Sequence, residues 1–141
     1  METLSYVATP RVARYCIDGD PIALARPRFG DGRVYDRQKQ LKLIVGISLQ
    51  SQHDEAPIFD GPLSLNIAFY LPILSAKKFK LNTKPHTQTP DLSNLIKFYE
   101  DMMTSIVYKD DKTIACIVAR KFYSTNPRTE IIISQIEDDI W

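Results

Sequence analysis

Between Thr89 and Lys112 the chain reads TPDLSNLIKFYEDMMTSIVYKDDK, which gathers Asp91, Asn94, Lys97, Asp101, Asp110 and Asp111 in one short stretch. On a helical wheel turning about 100° per residue, Leu92, Leu95, Ile96, Tyr99, Met102, Met103 and Ile106 fall in one arc, and Asn94, Lys97 and Asp101 fall opposite. Asp91 stands just before the first apolar position, where a helix N-cap belongs. Asp110 and Asp111 follow the helix, where the chain can fold back towards its start. Carboxylates are the oxygen ligands that magnesium selects, and a lysine beside them offers charge to a phosphate. The set is the equipment of a magnesium-dependent phosphodiester hydrolase.

Each residue also has a plainer explanation. Asp91 could be only a cap, worth about 1 kcal/mol. Asp110-Asp111 could be a polar turn between helix and strand. Lys97 could be a solvated lysine or an i,i+4 partner of Asp101, worth about 0.3 kcal/mol. Consecutive strand residues face opposite sides, so only one of Asp110 and Asp111 can point at Asp91.

Two basic segments flank this stretch. Ser75 to Thr89 carries Lys77, Lys78, Lys80, Lys84 and His86 and no acidic residue. Ile22 to Asp36 carries Arg26, Arg28 and Arg33, with Arg37 just beyond. Such groups contact phosphates and make affinity salt-dependent. Phe79 reads as a buried anchor in preference to a ring that stacks on a base.

The elements that must position these residues follow from periodicity. Val12 to Gly19 alternates as a first strand. Ile22 to Asp36, rich in Arg, Pro and Gly, reads as a loop. Asp36 is placed to cap a helix over residues 37–51, with Leu41, Ile44, Val45, Ser48 and Leu49 on its inner face. Leu63 to Leu71 is a strand with Leu63, Leu65, Ile67 and Phe69 on one face. A helix over 92–106 and strands over 113–123 and 129–135 complete the chain, the last two joined by a hairpin-like linker, Ser124 to Arg128. The order β-α-β-α-β-β describes an α+β fold: one domain over residues 1–141, a mixed sheet of about four strands with two helices packed on it.

The 141 residues suit a single core, with 44% apolar and 25% charged residues and a net charge of +1. That balance alone argues for no nucleic-acid partner; only the distribution of charge does. Cys16 and Cys116 lie in alternating apolar segments and read as buried strand thiols; neither has zinc spacing. No run is long enough for a membrane span, no signal-peptide pattern opens the chain, and no motif for an organic cofactor is present, so a cytoplasmic setting is expected.

The central stretch resembles the RusA-type Holliday-junction resolvase (crossover junction endodeoxyribonuclease) family. The resemblance rests on Asp91-Leu92-Ser93-Asn94-Leu95, Lys97, Asp101 and the Asp110-Asp111 pair, set against a family pattern D-x-D-N-L-x-K, a further helical aspartate, and D-D at a strand start. Lys84-Pro85-His86, Thr89-Pro90-Asp91, Ala25-Arg26-Pro27-Arg28-Phe29 and Gly32-Arg33-Val34-Tyr35 are also similar to family sequence. The resemblance implies a related fold, Mg2+ (or Mn2+) as cofactor, and cleavage of four-way DNA in recombination and repair by a homodimer, often of phage or prophage origin. It implies Asp91, Lys97 and Asp111 as catalytic residues. It makes Asp91 and Asp111 metal ligands with Asp110 in reserve, and places Asn94, Asp101 and Ser93 around them. Ser93 stands where the family has an aspartate. A catalytically weak junction-binding module of the same fold is therefore the alternative, and a small regulatory or assembly protein with a purely structural acidic cluster is a third. A two-fold junction suits a symmetric dimer. Ile114, Cys116, Ile117, Val118, Ile131, Ile132 and Ile133 offer apolar side chains on both faces of the last strands for helices and a partner to cover.

Overall fold

A computed structural model describes residues 11–25, 28–30, 33–35 and 38–137, with the side chains of 28–30, 33–35 and Lys77 left aside. Arg26, Asp36, Arg37 and the terminal segments 1–10 and 138–141 lie outside the described residues. The elements are β1 (Val12–Asp18), β2 (Arg28–Gly30), β3 (Arg33–Tyr35), α1 (Lys39–His53), β4 (Leu63–Pro72), α2 (Leu92–Met103), β5 (Ile114–Ser124) and β6 (Arg128–Gln135). Short 3-10 turns cover Ala76–Leu81 and Asp111–Thr113. The fold is α+β.

β4 is the reason the sheet forms where it does. Its odd positions Leu63, Leu65, Ile67, Phe69 and Leu71 are all buried, as strict alternation with one apolar face demands. The four-stranded sheet runs β1-β6-β4-β5, with β4 parallel to β5 and the other pairs antiparallel. α2 lies in the crossover that a parallel pair requires. β5 and β6 are consecutive in sequence yet do not pair, because β4 lies between them. The linker between them therefore spans two strand spacings, about 10 Å, and is not the expected hairpin. The most apolar strand takes the centre, where both of its edges are paired.

Both helices cover the same sheet face. Val45, Leu49 and His53 of α1, and Leu95, Phe98, Tyr99 and Met103 of α2, are buried there. The helices meet at Gly46, where an added Cβ would make ordinary contact with the Met102 Cε at 3.5 Å. α1 is rotated from its expected face, so Leu41 and Ile44 are exposed along with Leu43 and Ile47. α2 ends at Met103, not Ile106: the Thr104 hydroxyl donates to the Glu100 carbonyl, and Ser105 turns the chain at φ +73°.

Among the described residues no helix covers the opposite sheet face, which corrects the reading of Cys16 and Cys116 as buried. Cys16 is exposed and Cys116 half-exposed, since both side chains point to that face. Ile131 and Ile133 belong to the core, whereas Val118 is exposed and Ile132 half-buried on the uncovered side. Residues 22–36 are also not wholly a loop. Phe29 pairs with Val34 and Gly30 with Arg33 in a small antiparallel hairpin.

Candidate active site

The N-terminus of α2 is fixed by the backbone before it. The segment 83–86 runs along the edge of β5: Thr83 N–H donates to the Tyr123 carbonyl, His86 N–H to that of Lys121, and Tyr123 N–H to that of Lys84. The Lys121 ammonium then donates to the carbonyls of Gln88 (2.7 Å) and Pro90 (2.8 Å), across the cis Thr89–Pro90 peptide. Lys121 was not singled out from sequence; its signal was a lysine on the same side of β5 as Ala119 and Tyr123. Leu24 N–H donates to the Asn94 carbonyl and ties the N-terminal segment to the same turn.

Asp91 is the N-cap residue by position and extended backbone (φ −67°, ψ 142°), but its carboxylate makes no capping bond. Its carbonyl accepts from the N–H groups of Asn94 and Leu95. The side chain is exposed, as are those of Ser93, Asn94, Lys97 and Asp101 along the outer face of α2.

Asp110 and Asp111 have different situations. Asp110 caps the 3-10 turn: its Oδ1 accepts from the Lys112 N–H at 2.9 Å, and its carbonyl accepts from the Thr113 hydroxyl at 2.8 Å. That Lys112 N–H, a hydrogen bond with Asp111 and the Lys112 ammonium hold its carboxyl below the usual range, against a smaller opposing effect of desolvation. Asp111, the first residue of the turn, is the one whose charge acts on α2.

The structure brings Asp111, Asp101 and Lys97 together around Glu100, a residue the sequence reading passed over. Desolvation raises the Glu100 pKa; the charges of Asp111 and Asp101 raise it further, and Lys97 opposes them. Tyr108 anchors this corner, its hydroxyl donating to the Glu100 carbonyl at 2.7 Å. Burial and the nearby carboxylates push the Tyr108 pKa far up. Asp91 stands apart, roughly 15 Å from Asp101 along the helix axis. Among the described residues, no three His, Cys, Asp or Glu side chains converge as a ready-made metal cage. Magnesium does not require one: it takes one or two carboxylates and fills its octahedron with water and substrate phosphate. Hard oxygen donors held in mutual repulsion fit that ion.

The raised Glu100 pKa has a stability consequence. The folded state holds this proton more tightly than the unfolded chain, so folded stability falls as pH rises through the window above the ordinary value of 4.5. Glu100→Gln should therefore raise the melting temperature at pH 7 without metal, by about 1–3 °C given its partial exposure. Magnesium should raise the wild-type melting temperature more than that of the variant. Equal magnesium increments in a thermal scan would detach Glu100 from the cluster.

The basic residues divide. Lys78, Lys80 and Lys84 are exposed; Arg28 and Arg33 sit in the β2–β3 hairpin; Arg26 lies outside the described residues. His86 is half-buried with its ring 4.4 Å from that of Tyr123, and burial and the Lys121 charge lower its pKa against a pull from the Gln88 backbone. It is thus a largely neutral packing group at pH 7. Phe79 is 61% exposed, which corrects its reading as an anchor: the 3-10 turn projects it away from the core.

Among the described residues, no helix is long and apolar enough to cross a membrane. The chain is 31% identical over 137 residues to "Uncharacterized protein YqaN" of Bacillus subtilis (strain 168), covering 87% of this chain and 96% of the relative. It is 34% identical over 76 residues to the "Crossover junction endodeoxyribonuclease rusA" of Lactococcus phage r1t, covering 53% of this chain and 56% of the phage protein. The family model described as endodeoxyribonuclease RusA matches residues 18–134, from the end of β1 through most of β6. The chain with its acidic corner on α2 belongs to the RusA endodeoxyribonuclease family.

Proposed function

We propose that this protein is a magnesium-dependent endodeoxyribonuclease that resolves four-way DNA junctions as a homodimer in the cytoplasm, with manganese able to replace magnesium. One observation carries the reading: the charges of Asp111 and Asp101 both oppose ionisation of Glu100, with Lys97 countering them, on the helix that Asp91 begins. A bound magnesium ion would polarise the scissile phosphate and lower the pKa of its water. Asp111 would hold it, with Asp91 supplying the second carboxylate from the helix start once DNA and the ion draw the two together, and Asp110 in reserve behind its turn. Lys97 offsets the charge that builds on the phosphate oxygens. Asp101, one turn further on, keeps the Lys97 ammonium near the site, and Asn94 bonds DNA or backbone at the helix start. Lys77, Lys78, Lys80 and Lys84, with Arg26, Arg28 and Arg33, supply phosphate contacts.

The exposed Ser93 favours a second reading, the junction-binding module with little cleavage. Both are tested on a labelled four-way junction, with and without magnesium, with binding measured beside cleavage and mass measured in solution. Paired magnesium-dependent nicks near the branch and a dimer mass are the expected result. Tight branch-selective binding with no cuts in magnesium or manganese would establish the module. A monomer that cuts as paired nicks would remove the dimer.

A further inference from the structure

Beside the start of α2 lies a cavity of about 370 Å³ that the acidic corner does not use. It opens between the end of β4 and the segment running along β5, and its size is within the range of small-molecule sites. Two of its lining side chains are rings, His86 and Tyr123, packed 4.4 Å apart. Leu74, Lys78, Gln88 and Thr89 also line it.

Three observations give it a purpose. Leu74 is 93% exposed, an apolar side chain held in water beside a cavity and a run of lysines. The His86 ring is only half-buried although it packs on Tyr123, so an aromatic surface lines the cavity. Thr89 stands two residues before Asp91, so the cavity lies within ~7 Å of chain from that carboxylate.

We propose that the cavity receives one nucleobase drawn out of the DNA stack next to the cleaved phosphate, with Leu74 as the wedge that takes its place. The proposal rests on the endonuclease reading. An extruded base presents an aromatic face, which Tyr123 and His86 match by stacking. Its edge carries both N–H groups and lone pairs, which the Gln88 amide meets with a donor and an acceptor. Lys78 is placed for the adjoining phosphate. Apolar side chains that enter a base step unstack and kink the duplex, and a branch point, already short of stacking, opens at least cost.

The test has two arms. The chain has two histidines, and His53 is bonded to the Tyr15 hydroxyl at 2.6 Å, away from the cavity, so it serves as an internal control. Imidazole proton–nitrogen spectra are titrated to millimolar with a thymidine trinucleotide and with the same oligomer carrying a central abasic site. The His86 signals should shift and saturate with the intact oligomer alone while His53 stays still. No shift, or an equal shift with the abasic oligomer, overturns the proposal. In the second arm, Leu74→Ala should weaken junction binding at least about fivefold. A mismatch beside the cut, which is easier to extrude, should restore it. A loss that no mismatch position restores removes the wedge. If wild type shows no junction preference, the endonuclease reading falls, while the trinucleotide still judges the cavity. If junctions are bound and cut but His86 is silent, the cavity proposal falls alone.

Discussion

Asp91→Asn should lower junction cleavage at least about a hundredfold while leaving junction affinity within about twofold. Asparagine keeps the shape and one oxygen acceptor but removes the charge that ligation requires. The change is close to silent for folding. The Asp91 carboxylate makes no capping bond, its carbonyl still receives the Asn94 and Leu95 N–H groups, and asparagine is an equally good N-cap. Only the favourable charge at the helix start is lost, about 0.3–1 kcal/mol. Single-turnover cleavage and a mobility shift on the same junction separate the two effects. Cleavage that persists in the variant would exclude Asp91 from the metal. A fall in binding as large as the fall in cleavage would make Asp91 a DNA contact instead.

The separate legibility of type and of position explains what could be read without coordinates. β4 declares itself because one face is wholly apolar over the whole strand, and α2 because its apolar arc is continuous. Phe98 was missed because it sits just beyond that arc, on the flank that α1 also covers, so the buried sector is wider than the sheet alone would make it. α1 was misread because Leu41, Leu43, Ile44 and Ile47 are apolar yet stay exposed, so periodicity alone does not pick out the face of Val45, Leu49 and His53 that is buried. Strand order is non-local: nothing in β5 or β6 says that β4 will lie between them. The same holds at the site. Asp91, Lys97, Asp101 and Asp111 are legible as chemistry. That Glu100 joins them depends on the Tyr108 corner, where the chain returns against α2, and that Lys121 fixes the Gln88 and Pro90 carbonyls depends on the 83–86 segment lying along β5.

Ser93→Asp should raise cleavage and lower the magnesium concentration needed for half-maximal rate, each on the order of 10–100-fold. Ser93 is the second residue of α2, exposed, and two positions from Asp91; the first turn of the helix contains no acidic residue. A carboxylate there meets two separate demands. It offers magnesium an oxygen ligand that a serine hydroxyl supplies poorly. It also places negative charge at the positive end of the helix dipole, stabilising the fold by about 0.3–1 kcal/mol, or about 1–4 °C. The dipole effect needs no metal and falls with salt, so a thermal scan without magnesium measures it alone. The ligand effect appears only as a shift in the magnesium midpoint. A higher melting temperature with an unchanged midpoint and rate would mean that Asp91 and Asp111, with water and the phosphate, already complete the site. A lowered midpoint with a faster rate would mean that serine has weakened this chain's hold on its metal, and that the junction-binding and cleaving behaviours differ by one side chain.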